Sequence, residues 1–219
     1  MPTPDTRAHL AALYAGADDP WNTHASPYEQ QKFAQTIASI PRHRYRRGLE
    51  VGCGAGALTA RLAARCDVLV AMDCTARALA VARARTSRAN VVFTEGAAPV
   101  TWPAQPPDLV VLSEVLYFLT DDESAGLAAR LAQDCAAQCD VVLVNWLGRT
   151  GGGIGGAAAA RRLIGMLAGT HHRLLGCGSG QFEIDVLRRN ARHQLTGEAR
   201  AGSHDSAGCG PPVNRSEVR

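Results

Sequence analysis

Apolar positions along this chain change their spacing several times, and the changes outline its elements. Phe33, Ile37 and Ile40 recur at intervals of four and three, so they share one helical face. Ser26 supplies an N-cap for that helix, Pro27 its first residue, and Glu29 the acid three positions after the cap. Pro41 ends it. A shorter helical pattern around His9–Tyr14 comes before, broken by Asp18-Asp19-Pro20-Trp21. A strand is predicted over 47–51, then a helix carrying Leu58 and Leu62 inward and Arg61 and Arg65 outward. Val68-Leu69-Val70-Ala71-Met72 is a continuous apolar run, which suits a parallel strand buried on both faces. Asp73 ends that run, and Thr75 can cap a helix reaching Arg85. Further strands are predicted at 91–94, 108–113 and 141–146. A proline-rich connection at 99–107 precedes the second of these, and a helix marked by Leu127, Leu131 and Cys135 precedes the third.

Strands alternating with helices in this way predict an α/β fold with a doubly wound sheet. Beyond it the pattern changes. Residues 148–156 are glycine-rich and expected to form a mobile loop, and 157–168 have helical character. Two strands at 172–175 and 181–188 are separated only by Gly176-Cys177-Gly178-Ser179-Gly180. A connection that short permits an antiparallel hairpin and not a parallel crossover. Seven strands, mostly parallel with a C-terminal antiparallel hairpin, is the expected sheet. The chain divides into an N-terminal helical cap or lid over 1–45, a ligand-binding domain over 46–189, and a polar tail over 190–219 expected to be disordered.

The densest chemical signal is Leu49-Glu50-Val51-Gly52-Cys53-Gly54-Ala55-Gly56. A strand, a glycine turn and a helix in that order form a nucleotide-type binding loop. Gly52, Gly54 and Gly56 let a ligand lie against bare backbone, and the helix start adds free N–H groups. Glu50 suits anchoring of that loop through backbone N–H groups together with ordering of the amino-acid part of a cofactor; anchoring alone is the plainer alternative. Asp73 lies about twenty residues on, where an acid at a strand end accepts hydrogen bonds from ribose hydroxyls; a plain helix cap also accounts for it. Cys53 and Cys74 join the cofactor-binding set by position, as does Ser113. At the end of the third strand, Glu95 or the backbone of Gly96 and Ala97 is placed to read an adenine, and a solvated turn glutamate fits Glu95 equally well. Glu114 and Tyr117 follow the fourth strand, where Glu114 is placed between cofactor and acceptor and belongs to the cofactor-binding set too; a capping acid and a packed tyrosine also account for them. Trp21 and Tyr28 are candidates to fold over the pocket and join the cofactor-binding set, although stapling of the segment to the domain explains Trp21 equally well; His24 is a candidate base in a polar loop where a plain solvated histidine also fits.

Composition adds limits. The chain has 219 residues, 46% hydrophobic and 20% charged, enough for a real core in one domain. Net charge of +3 is too mild to require a nucleic-acid partner. The one dense basic run, Arg42-His43-Arg44-Tyr45-Arg46-Arg47, suits a solvated linker. All the basic charge except Lys32 is arginine. No apolar run is long enough for a membrane helix, and no export signal is evident at the N-terminus, so a cytoplasmic protein is expected. Seven scattered cysteines without CxxC spacing are expected to stay reduced, with no metal site.

The string from Glu50 to Gly56 resembles the E-x-G-x-G-x-G pattern of S-adenosylmethionine (SAM) methyltransferases, whereas dinucleotide enzymes more often show G-x-G-x-x-G. Asp19-Pro20-Trp21, Ser26-Pro27-Tyr28-Glu29, Gly48 to Gly56, Ser113-Glu114-Val115-Leu116-Tyr117 and the closing Asp185-Val186-Leu187-Arg188-Arg189 together resemble the NodS family. The likeness runs from about residue 15 to 190. It implies a class I, Rossmann-like methyltransferase of nodulation-factor synthesis that uses SAM and N-methylates the free amine of a deacetylated chitooligosaccharide. Under that resemblance Gly52, Gly54 and Gly56 seat the methionine part, Asp73 holds the ribose, and Glu114, Tyr117 or His24 takes the acceptor's proton. Other readings are a SAM-dependent O- or N-methyltransferase of another small metabolite, an NAD(P)-binding oxidoreductase sharing the loop and Asp73, or a SAM-binding protein without catalysis.

Overall fold

Seven strands hydrogen-bond into one sheet in the order β3-β2-β1-β4-β5-β7-β6. The computed structural model describes residues 4–150 and 153–191. In chain order the elements are α1 (Pro4–Gly16), α2 (Pro27–Ser39), β1 (Tyr45–Val51), α3 (Thr59–Leu62), β2 (Cys66–Asp73), α4 (Ala76–Arg85), β3 (Val91–Glu95), β4 (Leu109–Ser113), α5 (Asp121–Gln133), β5 (Asp140–Trp146), α6 (Gly156–Leu167), β6 (His171–Gly178) and β7 (Phe182–Arg189). β3, β2, β1, β4 and β5 run parallel, while β7 pairs antiparallel with both β5 and β6. The chain runs outward from β1 to β2 and β3, then returns to place β4 on the other side of β1. A crevice opens where the order reverses, beyond the carboxyl ends of β1 and β4.

Alternation within the strands supplies both apolar layers. On β4, Val110 and Leu112 join Leu127, Leu131 and Leu163 of α5 and α6. Leu109 and Val111 point the other way, to Phe33 of α2, Tyr45, Leu62 and Phe182. Two opposed faces buried at once explain why these strands are apolar throughout instead of alternating with polar residues.

Several boundaries differ from expectation, each for a local reason. β1 begins at Tyr45, so the basic run is not a free linker. The Tyr45 hydroxyl donates to buried Asp140 at 2.7 Å, and the Arg42 guanidinium stacks 4.2 Å over the Tyr45 ring while donating to the same carboxylate. β2 begins at Cys66, opposite Tyr45, which leaves room for only one turn of α3 and a 3-10 turn at Ala63–Arg65. α5 stops at Gln133, before Cys135. β6 continues through Gly178, so most of the glycine-rich separator is strand, with an irregularity between Arg173 and Leu175. Part of the glycine-rich stretch at 148–156 (residues 151–152) and the expected disordered tail, from residue 192 onward, lie outside the described residues. Cys53, Cys66, Cys74, Cys135, Cys139 and Cys177 carry free thiols. Among the described residues no helix is long and apolar enough to cross a membrane.

Candidate active site

A cavity of about 570 Å³ occupies the crevice, within the roughly 300–1,000 Å³ typical of small-molecule sites. Its floor is the glycine loop, where Gly52, Gly54 and Gly56 have φ of 77°, 53° and 84°. Side chains rarely adopt that backbone region. The amides of Gly52 and Cys53 donate to the Met72 carbonyl at 2.8 and 2.9 Å, which ties the loop to β2. A Cβ at Gly52 would stand 2.3 Å from Val115, and one at Gly56 would stand 3.1 Å from Ala82 of α4. Gly52 and Gly54 line the cavity with Cys53 and Ala55. Gly56 does not: it is a packing position between the loop and α4, a correction to its expected ligand contact.

Asp73 closes this floor. One carboxylate oxygen accepts from the Gly54 amide at 3.0 Å and the other from the Thr75 amide at 2.9 Å. It therefore clamps the loop and starts α4, and it still lines the cavity. The Thr75 hydroxyl and the Cys74 amide also favour its ionised form. Burial pushes its carboxyl above the usual carboxylate range, against the pull of those amides. Glu50 is buried beneath the loop, and burial, with the nearby charge of Asp73, pushes it up to about 8. Its partner is the Thr59 hydroxyl, which donates at 2.7 Å, in place of the backbone N–H groups expected from sequence. Gly96 and Ala97 line the cavity, whereas Glu95 is exposed and lies outside it, so the adenine-reading expectation falls to the backbone. Cys74 and Ser113 line the wall.

The N-terminal segment covers the opening. Tyr14 of α1 packs over the loop, its hydroxyl 2.9 Å from where a Gly54 Cβ would be, and Trp21 meets the Tyr14 ring edge-on at 5.6 Å. Trp21 lines the cavity although 47% exposed. Asp19 shapes the following turn. Its carboxylate accepts from the Thr23 amide and hydroxyl, both at 2.8 Å, and from the His24 amide at 3.0 Å. Burial alone would raise it, but these bonds hold it below the usual range. His24, expected as a base, is exposed and outside the cavity lining, with its Nε2 3.0 Å from the Ala55 carbonyl. It braces the glycine loop from behind.

Beyond the loop the cavity becomes ionic. Lys32, on α2, is only 3% exposed and donates to Glu29 at 3.0 Å and Glu114 at 2.8 Å. Burial works against its charge, but the two carboxylates hold it above its ordinary value. Glu114 has φ of 60°, a left-handed conformation uncommon outside glycine. Its second oxygen accepts from the Tyr117 hydroxyl at 2.8 Å and the Trp146 amide at 3.1 Å. Burial and the charge of Glu114 push the Tyr117 hydroxyl well above its usual range. Tyr28 lies edge-on to Phe182 at 6.0 Å, with Lys32 5.2 Å over its ring and its hydroxyl buried without a partner. Tyr14, Glu29, Lys32 and Arg149 line the cavity although none was expected there from the sequence, Glu29 having been read as a helix-entry acid. Lys32 had a signal, as a lone lysine in an arginine-rich chain. Its partner Glu114 is 82 positions away, beyond any local pattern.

Residues 3–141 match the model of the family described as Nodulation protein S (NodS). The chain belongs to the NodS family. Nodulation protein S of Sinorhizobium fredii is 36% identical over 115 residues, covering 52% of this chain and 53% of the relative. This NodS-family chain thus spans about half the length of the first curated relatives it matches. A trans-aconitate 2-methyltransferase of Methylobacterium radiotolerans is 29% identical over 184 residues, or 76% of this chain and 69% of that one. Among solved structures, N-methyltransferase NodS from Bradyrhizobium japonicum, in complex with S-adenosyl-L-homocysteine (SAH), superposes with a TM-score of 0.71 at 24% identity. It covers 84% of this chain and 98% of its own. The fold is that of class I methyltransferases.

Proposed function

We propose that this protein is a SAM-dependent methyltransferase of a small molecule, and that its acceptor is the free amine of an amino sugar such as a deacetylated chitooligosaccharide. One observation carries the reading: a single cavity joins a glycine loop clamped by Asp73 to an acidic cluster holding one buried lysine. The chain's membership of the NodS family supports both halves. The donor set fits the cofactor. Bare loop backbone from Gly52 to Ala55 suits the amino-acid part, the Asp73 carboxylate at the cavity lining suits ribose hydroxyls, and the backbone of Gly96 and Ala97 suits an adenine edge. When bound, SAM supplies a methyl group on a positively charged sulfur. The protein's own work is to orient and to exclude water. Tyr14 packs over the loop with Trp21 against it, Tyr28 lines the ionic end of the cavity, and the three serve as a lid; holding two reactants in line is worth up to roughly 7–11 kcal/mol in favourable cases. Glu114, fixed by three hydrogen bonds, and Tyr117 behind it form a rigid wall against which the acceptor lies.

Calorimetric titration with SAH and with NAD tests the cofactor. SAH is expected to bind and NAD to leave no signal; the reverse result ends the methyltransferase reading. Asp73→Ala removes two charge-assisted acceptors, so SAH affinity is expected to fall roughly 10- to 100-fold, with unchanged affinity ruling out the ribose role. Methyl-labelled SAM is expected to mark a glucosamine oligosaccharide and not its fully acetylated form.

A further inference from the structure

Lys32 is gripped by two carboxylates, and only one of them is used up. Glu114 spends one oxygen on Lys32 and the other on Tyr117 and Trp146. Glu29 gives Oε1 to Lys32, while its Oε2 has no partner among the described residues, and the side chain lines the cavity. Glu29 also stands where a capping box would turn its side chain back to the Ser26 amide. The Ser26 hydroxyl does accept from the Glu29 amide, but the carboxylate goes to Lys32 and the cavity instead. Beside it the buried Tyr28 hydroxyl lacks a partner. The free carboxylate oxygen has room for a hydrogen-bond donor, and the orphaned hydroxyl can accept from one as well as donate. Two carboxylates against one ammonium also leave this subsite with surplus negative charge. Both features favour a cationic amine and disfavour an acceptor that brings carboxylates of its own.

We propose that Glu29 is the group that takes the proton from a cationic amine acceptor, an inference that rests on the methyltransferase reading above. An N–H bond of the ammonium breaks, its electron pair stays on nitrogen, and an O–H bond forms at the free oxygen of Glu29. Once methylated, the nitrogen is cationic again. Each turnover therefore leaves one proton on Glu29, which passes to water at the cavity mouth. Glu114 is a positioning residue in this scheme, since it fixes the Lys32 ammonium that in turn fixes Glu29. The charged and titratable groups facing Glu29 are Lys32 and the Tyr28 hydroxyl on its own helix, Glu114 after β4, Asp19 in the turn after α1, and the hydroxyl of Tyr117. Burial raises the Glu29 carboxyl, Lys32 opposes the rise, and Glu114 and Asp19 add to it. A raised carboxyl is better matched to an amine than an ordinary glutamate is.

The test uses the whole chain, a glucosamine oligosaccharide and labelled SAM. At neutral pH, Glu29→Gln is expected to lower kcat about 100-fold, with the deficit shrinking as pH rises and the amine loses its proton unaided. Glu29→Asp is expected to recover part of the rate. In the SAH complex, where no turnover occurs, Glu29→Gln should bind the oligosaccharide about tenfold more weakly and bind its acetylated form as the wild type does. SAH affinity and melting temperature report whether each variant keeps its fold. Should Glu29→Gln lose it, Glu29→Asp decides: a pH profile displaced from the wild type supports the proposal and an identical one overturns it. Wild-type kcat in a folded Glu29→Gln overturns it as well, as does a wild-type protein that binds SAH but labels trans-aconitate and no amine. Failure of SAH to bind the wild-type chain instead removes the methyltransferase reading itself.

Discussion

Glu50 puts a carboxyl where ionisation is expensive. It is buried under the glycine loop with one hydroxyl partner, and its folded value of about 8 lies above the ordinary 4.5. A folded group that holds its proton more tightly than the unfolded one stabilises the fold fully below 4.5, and that stability drains away as pH climbs through about 8. Glu50→Gln, neutral and of the same shape, is expected to remove this loss, so denaturant midpoints of the variant should fall less between about pH 4.5 and 8 than those of the wild type. A parallel decline in both proteins would mean that Glu50 is ionised in the fold. At this scale the sequence exposed residues whose partners are close in the chain or fixed by strand order. Glu50, Gly52, Gly54 and Asp73 all sit on one strand-turn-helix-strand unit, and their place at the loop was readable, although Glu50 bonds Thr59 and not the expected backbone. His24 and Glu95 had the right chemistry but face away from the cavity. A side chain's direction in a turn depends on what packs beneath it, and for His24 that is the Ala55 carbonyl.

Among the elements, α2 and α5 use the same four-residue entry signal differently. At α5 the Thr120 hydroxyl accepts from the Glu123 amide at 3.2 Å, and the Glu123 carboxylate accepts from the Thr120 amide at 2.8 Å, which closes a reciprocal box. Thr120→Ala should therefore cost about 1 kcal/mol in chemical denaturation, and a change near zero would show that water replaces the cap without penalty. At α2 the box is half made because a buried lysine competes for the acid. Strand existence and the C-terminal antiparallel hairpin were legible from apolar runs and loop lengths. The length of α3 was not: Leu58 and Leu62 mark a helical face, but pairing of Cys66 with Tyr45 starts the next strand early and cuts the helix short.

The molecule as a whole is tied together by Asp140, which is fully buried at the start of β5. Arg42 donates to it at 3.1 Å, Tyr45 at 2.7 Å, and Arg188 of β7 at 2.7 and 3.1 Å, so a single carboxylate joins the entry to β1, the sheet centre and the antiparallel edge. Breaking such a pair costs roughly 3–5 kcal/mol when the surviving charge stays buried. Both arginines reach solvent in part, so Asp140→Ala should fall near the lower end of that range, measured by equilibrium unfolding. A loss well under 1 kcal/mol would make the network decorative. Isotope-labelled lysine, fed to cells expressing this chain, would light up a single side chain. Its resonance would come from inside the pocket, without mutation or assignment, and would move when ligands arrive. Screening for an acceptor could then begin with one peak and a library of amines, before any turnover has been seen.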